Sequence, residues 1–162
     1  MKHKSYFEPI ALPESLKEAI RIFILARAIR ILRHRKNSHN SMLINVSRFT
    51  KVQTAIRLLV LEYIEELRNS IGNHSALTPS RALENRVMKI IYNSWKREFS
   101  ELNFEWSQIQ GVLATSVSPI GVIEVNSSRS SETLSYETNN FPNGRNVIAV
   151  GGQSLSRGLT LE

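Results

Sequence analysis

The residues best suited to chemistry stand at two junctions, where an apolar run gives way to polar sequence. The first is Ser47-Arg48-Phe49-Thr50, which follows Met42-Leu43-Ile44-Asn45-Val46. A hydroxyl, a guanidinium and a helix N-terminus together can hold a phosphate, because each offers donors to anionic oxygens. Plain helix capping by Thr50, with Arg48 in solvent, accounts for the same residues. The second junction is Gly151-Gly152-Gln153-Ser154-Leu155-Ser156-Arg157-Gly158, after Asn146-Val147-Ile148-Ala149-Val150. Paired glycines let backbone approach a ligand closely. Ser154, Ser156 and Arg157 add donors before Gly158. A glycine turn closing a strand is the simpler account. In open α/β sheets, ligands bind where strands end and helices begin, so both junctions are candidate sites.

Other chemistries are missing from the sequence. It has no cysteine, which removes disulfides and thiol catalysis. It has no aspartate either; all 14 acidic residues are glutamate. Magnesium sites of nucleotide hydrolases and metal-dependent nucleases usually draw on aspartate. No Gly-x-x-x-x-Gly-Lys-Ser/Thr phosphate loop occurs. His3, His34, His39 and His74 are scattered, with no pair at ligand spacing, so no metal site is expected. An all-glutamate metal site near Glu124 is the alternative. It would make the chain a metal-dependent DNA endonuclease domain.

The junctions need elements to hold them. Pro13 suits a first helical turn, and a helical pattern runs from there to about Arg35. Leu16, Ile20, Phe23, Ile24, Ala28, Ile31 and Leu32 cover most of its circumference, which predicts burial on several sides. Arg27, Arg30, Arg33, Arg35 and Lys36 crowd its last turns, where cations suit the helix dipole. Met42–Val46 reads as a buried strand. Thr50-Lys51-Val52-Gln53 has capping-box spacing. It opens a helix whose stripe is Ile56, Leu59, Val60, Tyr63, Ile64, Leu67 and Ile71, with Gly72 as its stop. Thr78-Pro79 starts another helix, with Leu83, Val87, Ile90, Ile91, Trp95 and Phe99 facing inward. A short helix is expected near Trp106, Ile109, Val112 and Leu113. Val122–Asn126 reads as a strand, residues 127–140 as a loop, Gly144 as a turn and Asn146–Val150 as a third buried strand. Trp95 and Trp106 fit helical stripes and are assigned to the core.

Strands separated by helices, each an unbroken apolar run, predict a parallel sheet covered on both faces. The expected fold class is α/β: a parallel sheet of about three strands with several flanking helices. The chain of 162 residues is read as a single α/β domain. A parallel sheet of three strands is small, so the domain is expected to continue beyond the C-terminus in a larger protein. The net charge of +7 favours a polyanionic partner. The most apolar stretch, Ala19 to Leu32, contains Arg21, Arg27 and Arg30. Each arginine would cost about 2.5–3.5 kcal/mol at a bilayer centre, so no membrane span is expected. The absence of cysteine fits a cytoplasmic location.

At these junctions the chain resembles a known family. Asn40-Ser41-Met42-Leu43-Ile44-Asn45-Val46-Ser47-Arg48-Phe49-Thr50-Lys51-Val52-Gln53 is similar to the Z-one domain of bacterial proteins described as endonucleases. So are Val147–Gly152 with Leu155–Glu162, and the opening Leu12–Ile20. The resemblance implies a role in restriction-modification or phage defence, and a parent protein with a helicase-like ATPase region. ATP and magnesium would belong to the parent, with no cofactor bound by this segment. The implied partners are DNA and the remainder of the parent chain, or a restriction-system subunit.

The arrangement further resembles the second RecA-like domain of superfamily-two helicases. There a hydroxyl residue at a strand end contacts the nucleic-acid backbone; Ser47 and Arg48 occupy that place, with Thr50 opening the helix. A later Arg-Gly motif contacts phosphate and senses nucleotide, and Ser156, Arg157 and Gly158 occupy it. Gly151, Gly152 and Ser154 complete this nucleotide-coupling loop. The chain departs from the helicase pattern at Thr160, where an acidic residue is common. The functional expectation is a helicase-like or translocase-associated DNA module, not catalytic on its own. A docking module without ligand is the other alternative.

Overall fold

The computed structural model describes residues 9–35, 37–125, 141 and 144–152. The fold is α/β, with a three-stranded parallel sheet and several helices, consistent with a partial RecA-like arrangement. The elements in chain order are α1 (Glu14–Leu32), β1 (Asn40–Asn45), α2 (Thr50–His74), α3 (Pro79–Ala82), α4 (Arg86–Glu98), α5 (Trp106–Val117), β2 (Gly121–Val125) and β3 (Asn146–Gly151). The described residues fall into two compact units. One draws on residues 1–12, 37–62 and 120–162, and the other on 13–36 and 63–119.

The first unit holds the sheet, in the order β1-β3-β2. Both pairings are parallel, and β3 lies in the centre. Every residue of β3 is buried, as an unbroken apolar run predicts for a strand covered on both faces. Leu43, Ala149 and Ile123 stand in one row across the three strands. With Val147 and Val125 they form one face of the core. At the opposite end of the strands, Asn40 Nδ2 donates to Asn146 Oδ1 at 2.9 Å. This buried amide pair favours the observed register, because a slip would break the bond between the two strands. Gly144 turns the chain into β3 at φ +78°, a conformation that side chains resist. A Cβ there would lie 2.6 Å from the carbonyl oxygens of Asn37 and Ser38. The opening turns of α2 complete this unit, with Val52, Ile56 and Val60 buried.

The second unit is helical. In it α1 packs on α5 and α4. The arginines of α1 are explained by their partners. Arg21 donates to Tyr63 Oη at 2.7 Å, Ser94 Oγ at 3.2 Å and Glu14 Oε1 at 3.0 Å. Arg27 donates to the carbonyls of Thr115 at 2.7 Å and Ser116 at 3.0 Å. Those carbonyls belong to the last turn of α5, where orphan acceptors collect. Arg27 therefore serves the dipole of a neighbouring helix, whereas the sequence placed it among the cations serving its own. Burial lowers its pKa, and Arg30 adds to that shift. Tyr92, Trp95 and Trp106 pack ring to ring, so both tryptophans are core residues as expected.

Four boundaries differ from the sequence reading. Pro13 precedes α1 as its N-cap and does not occupy its first turn. Gly72 lies inside α2, which continues to His74. Buried Leu67 and Ile71 outweigh the modest helix penalty of one glycine. The segment after Thr78 forms two helices, not one. Asn85 divides them, because its Oδ1 accepts from the N–H groups of Val87 and Met88 and caps α4. The Thr50–Gln53 capping box does not form. Thr50 is already helical, and the Phe49 carbonyl accepts from Val52 and Gln53 N–H. The expected loop at 127–140 lies outside the described residues.

Candidate nucleic-acid interface

The two junctions meet at the C-terminal edge of the sheet. Asn45 of β1 pairs with Gly151 of β3, which sets the two chain exits side by side. Val46 N–H extends the ladder by donating to the Gly151 carbonyl at 2.9 Å. The chain then turns at Ser47, whose Oγ accepts from Phe49 N–H at 3.2 Å. That bond uses an acceptor position and leaves the hydroxyl proton able to donate elsewhere. Arg48 is exposed, with its guanidinium 5.1 Å from the Phe49 ring centre. Thr50 is exposed at the start of α2. The hydroxyl, the guanidinium and the first residue of α2 thus stand within four consecutive residues, a combination able to hold a phosphate.

Gln53 joins the two junctions. Its side chain is 3% exposed, and its Nε2 donates to the Ser47 carbonyl at 2.7 Å. Its Oε1 is buried without a partner among the described residues. Gly152 packs against the same two groups. A Cβ on Gly152 would lie 2.2 Å from the Ser47 carbonyl oxygen and 2.7 Å from Gln53 Nε2. Only glycine fits this close approach. Of the second junction, Gly151 and Gly152 are described; Ser154, Ser156, Arg157 and Gly158 lie outside the described residues.

Two residues at this edge had drawn no role as a pair. Glu124 of β2 accepts from Thr54 Oγ1 at 2.8 Å, and Thr54 Oγ1 also contacts the Thr50 carbonyl at 3.1 Å. The carboxylate is thereby tied to the first turn of α2. Among the described residues, no three histidine, cysteine or acidic side chains form a group able to hold a metal ion. A single carboxylate engaged by a threonine is a poor donor set for magnesium, which favours several oxygen ligands. His39 is committed elsewhere, since its Nδ1 accepts from Arg145 N–H at 2.9 Å.

A family model, the Z1 domain, matches residues 15–162. The chain belongs to the Z1 domain family. Z1 domains occur in endonuclease and helicase-like proteins. The Z1 match spans all three strands and both junctions, so it contains every residue named at the candidate interface. Comparisons with curated proteins and with solved structures gave no match. No helix among the described residues is long and apolar enough to cross a membrane.

Proposed function

We propose that this Z1 domain is the DNA-binding, helicase-like or translocase-associated module of a cytoplasmic endonuclease of restriction-modification or phage defence. It positions DNA and does not act as a catalyst alone. The observation that carries this reading is the approach of Gly152 to Ser47 and Gln53. It supports a reading in which the Ser47 junction and the Gly151-Gly152 turn act as one joint.

In this reading Arg48, the Ser47 hydroxyl and the N-terminus of α2, opened by Thr50, receive backbone phosphate. A displacement of Gly151-Gly152 then shifts the Ser47 carbonyl, and Gln53 passes the shift to the first turn of α2. Ser154, Ser156, Arg157 and Gly158 would report nucleotide state to that joint. ATP and magnesium would be held by another region of the parent protein, since this chain has neither a phosphate loop nor aspartate. The other partner is the remainder of the parent or a restriction-system subunit.

Salt-dependent DNA binding tests the reading. Neutralising Arg48 and Arg157 together removes two phosphate contacts. The slope of log K against log salt should fall by about 1.8 on duplex DNA. The loss should be the same for unrelated DNA sequences, because backbone contacts carry no base information. An unchanged slope and affinity would refute the assignment.

A further inference from the structure

We propose that the exposed face of α4 is a second nucleic-acid backbone contact, distinct from the edge of the sheet. Arg86, Lys89, Asn93 and Lys96 are all exposed and recur at spacings of three or four residues. They occupy one stripe, covering roughly 80° of the helix circumference. Met88, Ile91, Ser94 and Trp95 are buried on the opposite side. The stripe is therefore fixed outward by the core that α4 builds.

Among the described residues its cations are not neutralised. Arg86, Lys89 and Lys96 have no carboxylate partner among the described residues, whereas Arg97 on the same helix is paired with Glu18 and Glu98. Helix stability does not explain them either. Lys96 suits the C-terminal end of the dipole, but Arg86 and Lys89 stand in the opening residues of α4, and no acidic residue balances them there. Cations at a helix N-terminus oppose the macrodipole. An external anion is the interaction that favours cations at both ends of the stripe.

The geometry points to a nucleic-acid backbone. Arg86 and Lys96 are ten positions apart on α4, a rise of about 15 Å along the helix. Duplex DNA presents roughly nine phosphate charges over the same axial distance, so three flexible cations can each find one. A lipid surface would call for large apolar residues beside the stripe. Among the described residues the exposed large hydrophobic side chains are Ile10, Leu58 and Leu77, and none lies on α4.

The test uses the whole chain and a duplex of arbitrary sequence. Arg86→Gln, Lys89→Gln and Lys96→Gln are combined in one variant. A charge-matched control combines Lys17→Gln, Arg57→Gln and Arg68→Gln. Circular dichroism verifies that both fold; if the stripe triple does not, the three single variants replace it. The stripe variant should lower the salt slope by about 2.7, or by about 0.9 for each single change, and the control should leave it near the parent value. Equal loss in both, or loss in neither, overturns the inference, as does absence of DNA binding by the unsubstituted chain. Binding to phosphatidylserine vesicles that exceeds binding to DNA also overturns it. The sheet-edge reading is tested separately: Arg48→Gln can abolish a contact with the stripe intact, and the stripe can fail with Arg48 intact.

Discussion

Replacing Gly152 by alanine tests the joint between the two junctions. The added methyl would start 2.2 Å from the Ser47 carbonyl oxygen and 2.7 Å from Gln53 Nε2. Relief needs a shift of roughly 1 Å, since non-bonded atoms sit best at about 3.5 Å or more. Such forced packing costs about 1–3 kcal/mol. If the shift also breaks the bond from Gln53 to Ser47, a buried amide loses its acceptor, at about 1–3 kcal/mol. The two effects overlap, so the expected loss is about 2–4 kcal/mol. In urea that moves the unfolding midpoint down by about 1–2 M, using a slope of about 2 kcal/mol/M. DNA affinity should fall as well, because Ser47 and Arg48 move with the displaced carbonyl. Gly72→Ala is the internal control. Gly72 is exposed within α2 with nothing within 4 Å of an added Cβ. Alanine there should stabilise by about 0.5–1 kcal/mol through helix propensity. If Gly152→Ala leaves both the midpoint and DNA affinity at the parent values, the close approach is not a mechanical joint.

Further predictions rest on other parts of the fold. Arg27→Met should destabilise by about 2–4 kcal/mol in urea unfolding, because the last carbonyls of α5 lose a buried, charged donor. Stability within 0.5 kcal/mol of the parent, on the order of measurement scatter, would contradict that role. Burial raises the pKa of Tyr63, and the Arg21 hydrogen bond only partly offsets this. Its contribution is therefore present below the unfolded tyrosine pKa of about 10 and is lost as pH rises through the folded value. Tyr63→Phe should flatten the alkaline fall of unfolding free energy; an unchanged slope would count against the assignment. Gly144→Ala should cost about 2–3 kcal/mol, combining a left-handed backbone with contacts at 2.6 Å to Asn37 and Ser38. The same urea titration reads it, and a neutral result would dismiss the turn as a constraint.

The strands were legible because each is a continuous apolar run. Their observed limits differ from the expected ones by one or two residues, as at β1, where polar Asn40 begins the strand through its amide pair with Asn146. The parallel class followed from the helices between the runs. The break before α4 was hidden by periodicity, since Leu83 fits the same stripe as Val87 and Ile90. Asn85 was the signal that could have revealed it, being a favourable cap residue just before the buried run. Arg27 could not be interpreted locally, because its acceptors come from α5.

At the site, Ser47, Arg48 and Thr50 were visible as residue types at a strand end. Their nearness to Gly152 was not, since it depends on the β1–β3 register and on β3 taking the centre of the sheet. Gln53 was misassigned for a related reason. Capping-box spacing describes local bonding, but this side chain is buried and turns to a carbonyl of the preceding loop.

Site-specific photocrosslinking measures the central claim most directly. A benzoylphenylalanine at Thr50 would stand beside Arg48 at the exposed start of α2. The same group at Glu62, also exposed, would stand about 18 Å further along that helix. The account predicts crosslinking of duplex DNA from position 50, loss of that product with Arg48→Gln, and little product from position 62. Equal crosslinking from both positions, or none from position 50 while DNA remains bound, would contradict it.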